Sequence, residues 1–239
     1  MARATAARLA DRIVDAQSAR GSASVVLTGG RNGNALLASL ACAAGRDSID
    51  FSRLDLWWGD ERFLPEGDPE RNVTQAREAL LREVPLNPAR VHAMAPSCGA
   101  YGNDVEAAAN AYAAELAAAA RTEGTEGGSP AVPAFDVLLL GVGPDAHVAS
   151  LFPGHAAVGE RERSVIGVRG APKPPPVRIS LTLPAIRAAR EVWLLAAGED
   201  KADAAALALS GVDEVRAPAS GAYGRERTLW LLDEAAAAR

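Results

Sequence analysis

The sequence predicts an α/β fold built around a mostly parallel sheet. Three observations carry this. Short apolar runs alternate along the chain with longer segments of helical periodicity. The run Val137 to Leu140 is continuously apolar, as a buried strand is. Several such runs end in glycine and then in charged or polar residues, which is where open α/β sheets place their ligand groups.

In chain order, residues 3–20 form an amphipathic helix and Ser24 to Thr28 a strand, followed by Gly29-Gly30. Asn34 to Ala44 is a helix with Gly45 as its stop signal. Leu54 to Trp58 is a strand that ends at Gly59-Asp60-Glu61-Arg62. Residues 70–83 form a helix closed by Pro85 and Pro88, and Val91 to Ala95 is a short strand. Asp104 to Arg121 is a long alanine-rich helix, and Thr122 to Pro133 is a Gly/Pro/Ser loop. The strand Val137 to Leu140 follows, then an irregular stretch from Pro153 to Val177 that contains a strand at Ser164 to Val168. Ile179 to Leu183 and Val192 to Ala196 are strands, Ala202 to Ser210 is a helix, and Thr228 to Leu232 is the last strand. The alternation resumes after every loop, so residues 1–239 are expected to form a single domain.

Composition narrows the function classes. Apolar residues make up 49% and charged residues 23% of 239 residues, enough to bury a core without staples. A net charge of -5 argues against nucleic-acid binding by bulk electrostatics, but leaves room for a locally basic pocket. Cys42 and Cys98 lack metal or redox spacing, which points to a reducing compartment. The first twenty residues carry Asp11 and Asp15 and no continuous apolar stretch, and no run has membrane-spanning length. A cytoplasmic protein is expected, with no membrane or nucleic-acid partner.

Four strand ends carry the chemistry. In Val25-Val-Leu-Thr-Gly29-Gly30-Arg31-Asn32, the glycines either let backbone amides approach an anion or simply make a tight turn. Arg31 and Asn32 are open between anion contact and solvent. In Trp57-Trp58-Gly59-Asp60-Glu61-Arg62-Phe63, three charged residues among aromatics point to partly buried charge. In Gly141-Val-Gly-Pro-Asp145-Ala-His147, residues two apart in an extended segment face one pocket, so the carboxylate tunes the imidazole. His92, inside a short strand, and His155, in a loop, have no comparable company. The match of Gly141 to Ala146 to a dinucleotide fingerprint is weak, because Pro144 sits within the turn and the motif falls mid-chain. The last end pairs Lys173-Pro-Pro-Pro-Val-Arg178 with Gly198-Glu-Asp-Lys201, where a lysine in the first turn of a helix either is offset by Glu199 and Asp200 or faces a bound anion. Together the four ends describe a site for a small phosphorylated, polar metabolite.

Gly59-Asp-Glu-Arg-Phe-Leu-Pro65 with Arg71-Asn72, Gly141 to Gly154, Pro172 to Thr182 and Gly198-Glu-Asp-Lys-Ala202 resemble the 6-phosphogluconolactonase family over nearly the whole chain. The resemblance implies a three-layer αβα fold with a Rossmann-like, mostly parallel sheet of the sugar-phosphate isomerase/lactonase type. It implies hydrolysis of 6-phospho-D-glucono-1,5-lactone, with no metal or organic cofactor, by a monomer or small homo-oligomer. His147 falls on the family's general base and Asp145 on the acid two before it. Lys201 and Arg178 fall on basic positions suited to the phosphate, Gly29 and Gly30 supply loop amides, and Asp60 and Arg62 fall at the pocket edge. This chain departs from the family pattern at Ala146 and Val148, where glycine and threonine are usual, and at Arg31, where a small hydroxyl residue is usual. An isomerase or deaminase of an amino-sugar phosphate is the nearest alternative; a non-catalytic sugar-phosphate sensor and a nicotinamide oxidoreductase rank behind it.

Overall fold

The computed structural model describes residues 1–124 and 130–239. Its strands are β1 (Ala23–Leu27), β2 (Leu54–Trp58), β3 (Asp60–Arg62), β4 (Val137–Gly141), β5 (Val165–Val168), β6 (Arg178–Leu181), β7 (Glu191–Ala196) and β8 (Arg227–Leu232). The helices are α1 (Ala2–Arg20), α2 (Gly30–Ala41), α3 (Asn72–Ala79), α4 (Val105–Glu123), α5 (Leu183–Arg187) and α6 (Ala202–Leu209).

A five-stranded sheet runs in the order β2-β1-β4-β7-β8, and each neighbouring pair is parallel. Every residue of β1 and β7 is buried, which is how a parallel sheet covered on both faces must read. Strand alternation separates the two coverings. Leu54 and Leu56 of β2 meet Leu9 and Ile13 of α1 and Leu37 and Leu40 of α2 on one face. Trp57 points the other way, edge-on to Tyr112 of α4, whose hydroxyl accepts from Trp58 N at 2.9 Å. The result is helix, sheet and helix in three layers, as the sequence predicts. Each fully buried leucine of β4 contributes about 2 kcal/mol to this core.

A second, antiparallel sheet in the order β3-β6-β5 stands beside the first. One residue joins the two. Gly59 donates its N–H to Leu27 O in the main sheet at 3.0 Å, and its carbonyl accepts from Leu181 N of the second sheet at 2.8 Å.

Several elements differ from the sequence expectation. Asp60–Arg62, expected as the charged end of the preceding strand, is a strand of its own, because β6 lies alongside to pair with it. Val91 to Ala95 is not a strand. Only Val91 bridges Leu56, and the carbonyl of Met94 accepts from Arg71 Nη2 at 2.6 Å instead of a ladder partner. The strand expected to reach Leu183 stops at Leu181, where Thr182 caps the short helix α5 and Pro184 occupies its first turn. α2 starts at Gly30, four residues earlier than expected, and α3 spans only Asn72–Ala79. The loop expected at Thr122 to Pro133 lies partly outside the described residues; Thr122 and Glu123 still belong to α4.

Candidate active site

The carboxyl ends of β1, β4 and β7 and the chain around β3 and β6 enclose a cleft of about 410 Å³. That volume suits a small metabolite. Gly29, Gly30, Asp60, Arg62, His147, Arg178 and Lys201 all line it, together with Arg31, Asn32, Asn72 and Lys173. Asp145 does not line it; it stands behind His147. Five cationic side chains face the cleft, Arg31, Arg62, Lys173, Arg178 and Lys201, against the carboxylates Asp60 and Asp200. The protein is net acidic, yet its cleft is basic.

At the first strand end, Gly29 has no side chain because none fits. A Cβ there would lie 1.9 Å from Asn72 Oδ1. Gly30 follows at φ +74° and opens α2, whose first amides have no helical partner and favour an anion. Arg31 is exposed but tethered. It donates to Ala197 O at 2.8 Å and meets Asp200 Oδ1 at 3.1 Å, tying the start of α2 to the turn before α6. Lys201 sits in that turn as the residue flanking α6, with Nζ 3.5 Å from Asp200 Oδ2. Burial holds its amine below the usual lysine range, with Lys173 and Arg31 adding repulsion, while Asp200 pulls the other way.

The residues after β2 are buried, as their aromatic setting implies. Asp60 Oδ2 accepts from Ser150 Oγ at 2.7 Å, and Arg178 Nη1 lies 3.9 Å away. Glu61 is fully buried and has a supporting task. It accepts from Arg62 N at 2.9 Å, Asn72 N at 2.6 Å and Val73 N at 3.0 Å, which caps α3. Burial pushes its carboxyl up to about 7 against these donors and the nearby Arg71.

The third strand end holds the Asp/His pair, and here the expected geometry needs correcting. Residues 143–147 are not extended. Ala146 N donates to Gly143 O and Gly143 N to His147 O, both at 2.9 Å, closing a tight turn. Ala146 takes φ +62°, a left-handed conformation that suits the glycine usual in the family. The turn still brings the side chains together, with Asp145 Oδ1 2.5 Å from His147 Nδ1. The imidazole rests against the Phe152 ring, 4.6 Å between centroids. It also fills the space over Gly143, where a Cβ would lie 1.9 Å from Nδ1. Burial opposes ionisation of Asp145. The hydrogen bonds and charges of His147 and Lys173 outweigh it and hold the carboxyl well below the usual carboxylate range.

Sequence reasoning picked out the segment from Lys173 to Arg178 but gave Lys173 no place in the site. Its Nζ lies 3.0 Å from Asp145 Oδ1 and 3.2 Å from His147 Nδ1. The triple proline beside it was a signal of a stiff loop, but not of where the loop points. Arg178 directs it. Nearly buried, it donates to the carbonyls of Lys173 at 3.2 Å, Pro174 at 2.9 Å and Pro175 at 3.0 Å. His92 was misread as lacking company: Glu115 Oε1 is 2.6 Å from its Nδ1 and Asp55 Oδ1 is 3.5 Å from its Nε2. His155 is structural, capping the turn at Ala157. Among the described residues, no three His, Cys, Asp or Glu side chains converge closely enough to hold a metal ion, and no helix is long and apolar enough to cross a membrane.

A family model described as glucosamine-6-phosphate isomerases/6-phosphogluconolactonase matches residues 1–230. A protein of Streptomyces coelicolor named 6-phosphogluconolactonase is 74% identical over 239 residues, covering 100% of this chain and 90% of its own. One of Mycobacterium tuberculosis with the same name is 54% identical over 232 residues, covering 97% of this chain and 91% of its own. The solved structure of 6-phosphogluconolactonase from Trypanosoma brucei superposes with a TM-score of 0.77 at 28% identity, covering 99% of this chain and 94% of that one. The chain therefore belongs to the family of glucosamine-6-phosphate isomerases and 6-phosphogluconolactonases.

Proposed function

We propose that this chain hydrolyses 6-phospho-D-glucono-1,5-lactone to 6-phospho-D-gluconate, the second step of the oxidative pentose phosphate pathway. The observation that carries the reading is the Asp145–His147 pair, 2.5 Å apart, whose imidazole faces a cleft lined by five cationic side chains. The relatives named 6-phosphogluconolactonase support the same substrate.

In this reading, His147 takes a proton from water through Nε2 as the water oxygen attacks C1 of the lactone. The carbonyl becomes a tetrahedral oxyanion, stabilised by donors at the cleft wall such as Arg62 or turn amides. The bond from C1 to the ring oxygen then breaks, and the imidazolium returns its proton to that oxygen, which becomes the C5 hydroxyl. The new carboxylic acid ionises and releases a proton to solvent. Asp145 accepts from Nδ1 and steadies the ring. Lys201 and the amides after Gly29 and Gly30 bind the phosphate, with Arg178 adding positive charge, and Asp60 accepts from sugar hydroxyls. Binding the phosphate away from C1 positions the reacting carbon. A lactone is an activated ester, so a general base and positioning suffice without a covalent intermediate. The enzyme works as a single domain in the cytoplasm; the free, exposed Cys42 and Cys98 fit a reducing compartment.

The test is acid release from the lactone, with spontaneous opening subtracted. His147→Asn is expected to lose about 100-fold or more in kcat. Unchanged turnover rejects the assignment, and ammonia release from glucosamine 6-phosphate would move the chain to the deaminase branch.

A further inference from the structure

Asp145 Oδ1 is a shared acceptor. His147 Nδ1 approaches it at 2.5 Å and Lys173 Nζ at 3.0 Å, while the two nitrogens lie 3.2 Å apart. An ammonium has only protons to offer, and a neutral imidazole nitrogen carries either a proton or a lone pair. If Lys173 donated to a lone pair on Nδ1, that lone pair would also face a carboxylate lone pair at 2.5 Å, which is repulsive. The arrangement is satisfied when Nδ1 carries the proton and both nitrogens donate to Asp145. The lone pair of the neutral ring is then on Nε2, which makes no hydrogen bond among the described residues and lies on the cleft side.

We infer that Lys173 is a positioning residue for His147: its ammonium holds Asp145 as the acceptor of Nδ1–H and counters the carboxylate charge beside the ring, which leaves Nε2 turned to the cleft. A carboxylate beside a histidine favours the charged ring, and a neighbouring ammonium opposes that. His92 in the same chain shows the effect. Burial opposes its charge, yet Asp55 and Glu115 push it up to about 9. There the nearby cation, Arg90, meets only the far oxygen of Asp55, at 2.7 Å. At His147 the cation touches the ring itself.

The loop is built to deliver this ammonium. Arg178 clamps the carbonyls of residues 173–175, and Ala171 N closes the loop base on Pro176 O at 3.0 Å. The other charged groups around the cleft are Asp60 and Arg62 of β3, Arg178 of β6, Arg31 of α2, and Asp200 and Lys201 before α6. None of them makes a hydrogen bond or ion pair with His147 or Asp145 among the described contacts.

The inference rests on the lactonase reading, so the experiment has an arm that does not. Wild type, Lys173→Met and Lys173→Arg are compared by the pH dependence of kcat/KM from about pH 5.5 to 8.5, across the histidine range. In Lys173→Met the acid limb is expected to move up by about one pH unit and kcat at neutral pH to fall roughly tenfold, with KM within about twofold. Lys173→Arg should keep the limb near its original place. Should the Met variant unfold, Lys173→Gln carries the same test. An unmoved limb with KM raised more than about tenfold makes Lys173 a substrate ligand and overturns the inference. The second arm is the 15N spectrum of the imidazoles, with His147→Asn to assign the signals. A neutral ring protonated at Nδ1 is expected, and one protonated at Nε2 overturns the inference. Absence of any wild-type lactonase activity would reject the proposed function but leave the spectral test standing.

Discussion

His92 lies flat on Trp57, with ring centroids 3.7 Å apart and planes within 7°. The imidazole bridges β2 and α4 through Asp55 and Glu115, 23 residues downstream of His92. Its folded-state value of about 9 exceeds the ordinary 6.5, so its stabilising contribution is fully present below about pH 6.5 and is lost as pH rises through about 9. Glu115 is partly exposed, which screens the pair, so the contribution is on the order of 1 to 2 kcal/mol. Urea midpoints at pH 6 and pH 9.5 should differ for wild type and converge in His92→Gln; a parallel pH slope in the variant would contradict this.

Gly143→Ala places a methyl group where the imidazole sits, 1.9 Å from Nδ1. The ring must move by an ångström or more. A displacement of that size is expected to lower kcat about 100-fold while the melting temperature changes little. Turnover and thermal melting on the same sample separate the two effects.

Ala146→Gly tests the opposite case. An L-residue at φ +62° carries about 1 to 2 kcal/mol of strain. Glycine removes it at an entropic cost of about 0.5 to 1 kcal/mol. The variant should be as stable as wild type or about 1 kcal/mol more stable by denaturant titration, with turnover unchanged within about twofold. A clear loss of stability would show that the methyl, which is fully buried, packs better than the backbone is strained.

Glu61→Ala should be the most damaging of these changes. It strips the acceptor from three amides and leaves the fully buried Arg71, whose guanidinium lies 3.7 Å from Glu61, with only the exposed Glu66 as a carboxylate partner, also at 3.7 Å. Breaking a buried pair in this way costs about 3 to 5 kcal/mol. Glu61→Gln retains one acceptor oxygen and should cost less; equal losses would argue that the charge itself is what matters.

The contrast between what could and could not be read from sequence follows contact range. β4 and β7 were legible because a strand buried on both faces must be apolar throughout. β3 was not: the sequence pointed to partly buried charge at Asp60, Glu61 and Arg62, but the strand that pairs with them, β6, comes from more than a hundred residues away. The Asp145–His147 pair was legible because both residues lie on one turn. Lys173 was not, because only the side chain of Arg178 aims its loop at that turn. His92 was misread for the same reason: its partners come from two other elements. Ala146 was marked in the sequence only as a departure from the family's glycine; its positive φ came with the structure.

The joint at Gly59 has a consequence for ligand size. A single residue is hydrogen-bonded into both sheets, into one through its N–H and into the other through its carbonyl. The basic wall carrying Arg62 and Arg178 is thus riveted to the wall carrying His147 and Lys201, rather than mounted on a hinge. In the proposed reaction such a cleft acts as a fixed gauge of the span from phosphate to carbonyl, and a sugar one carbon shorter leaves one end of that span unfilled. Small-angle scattering profiles with and without 6-phosphogluconate should superimpose.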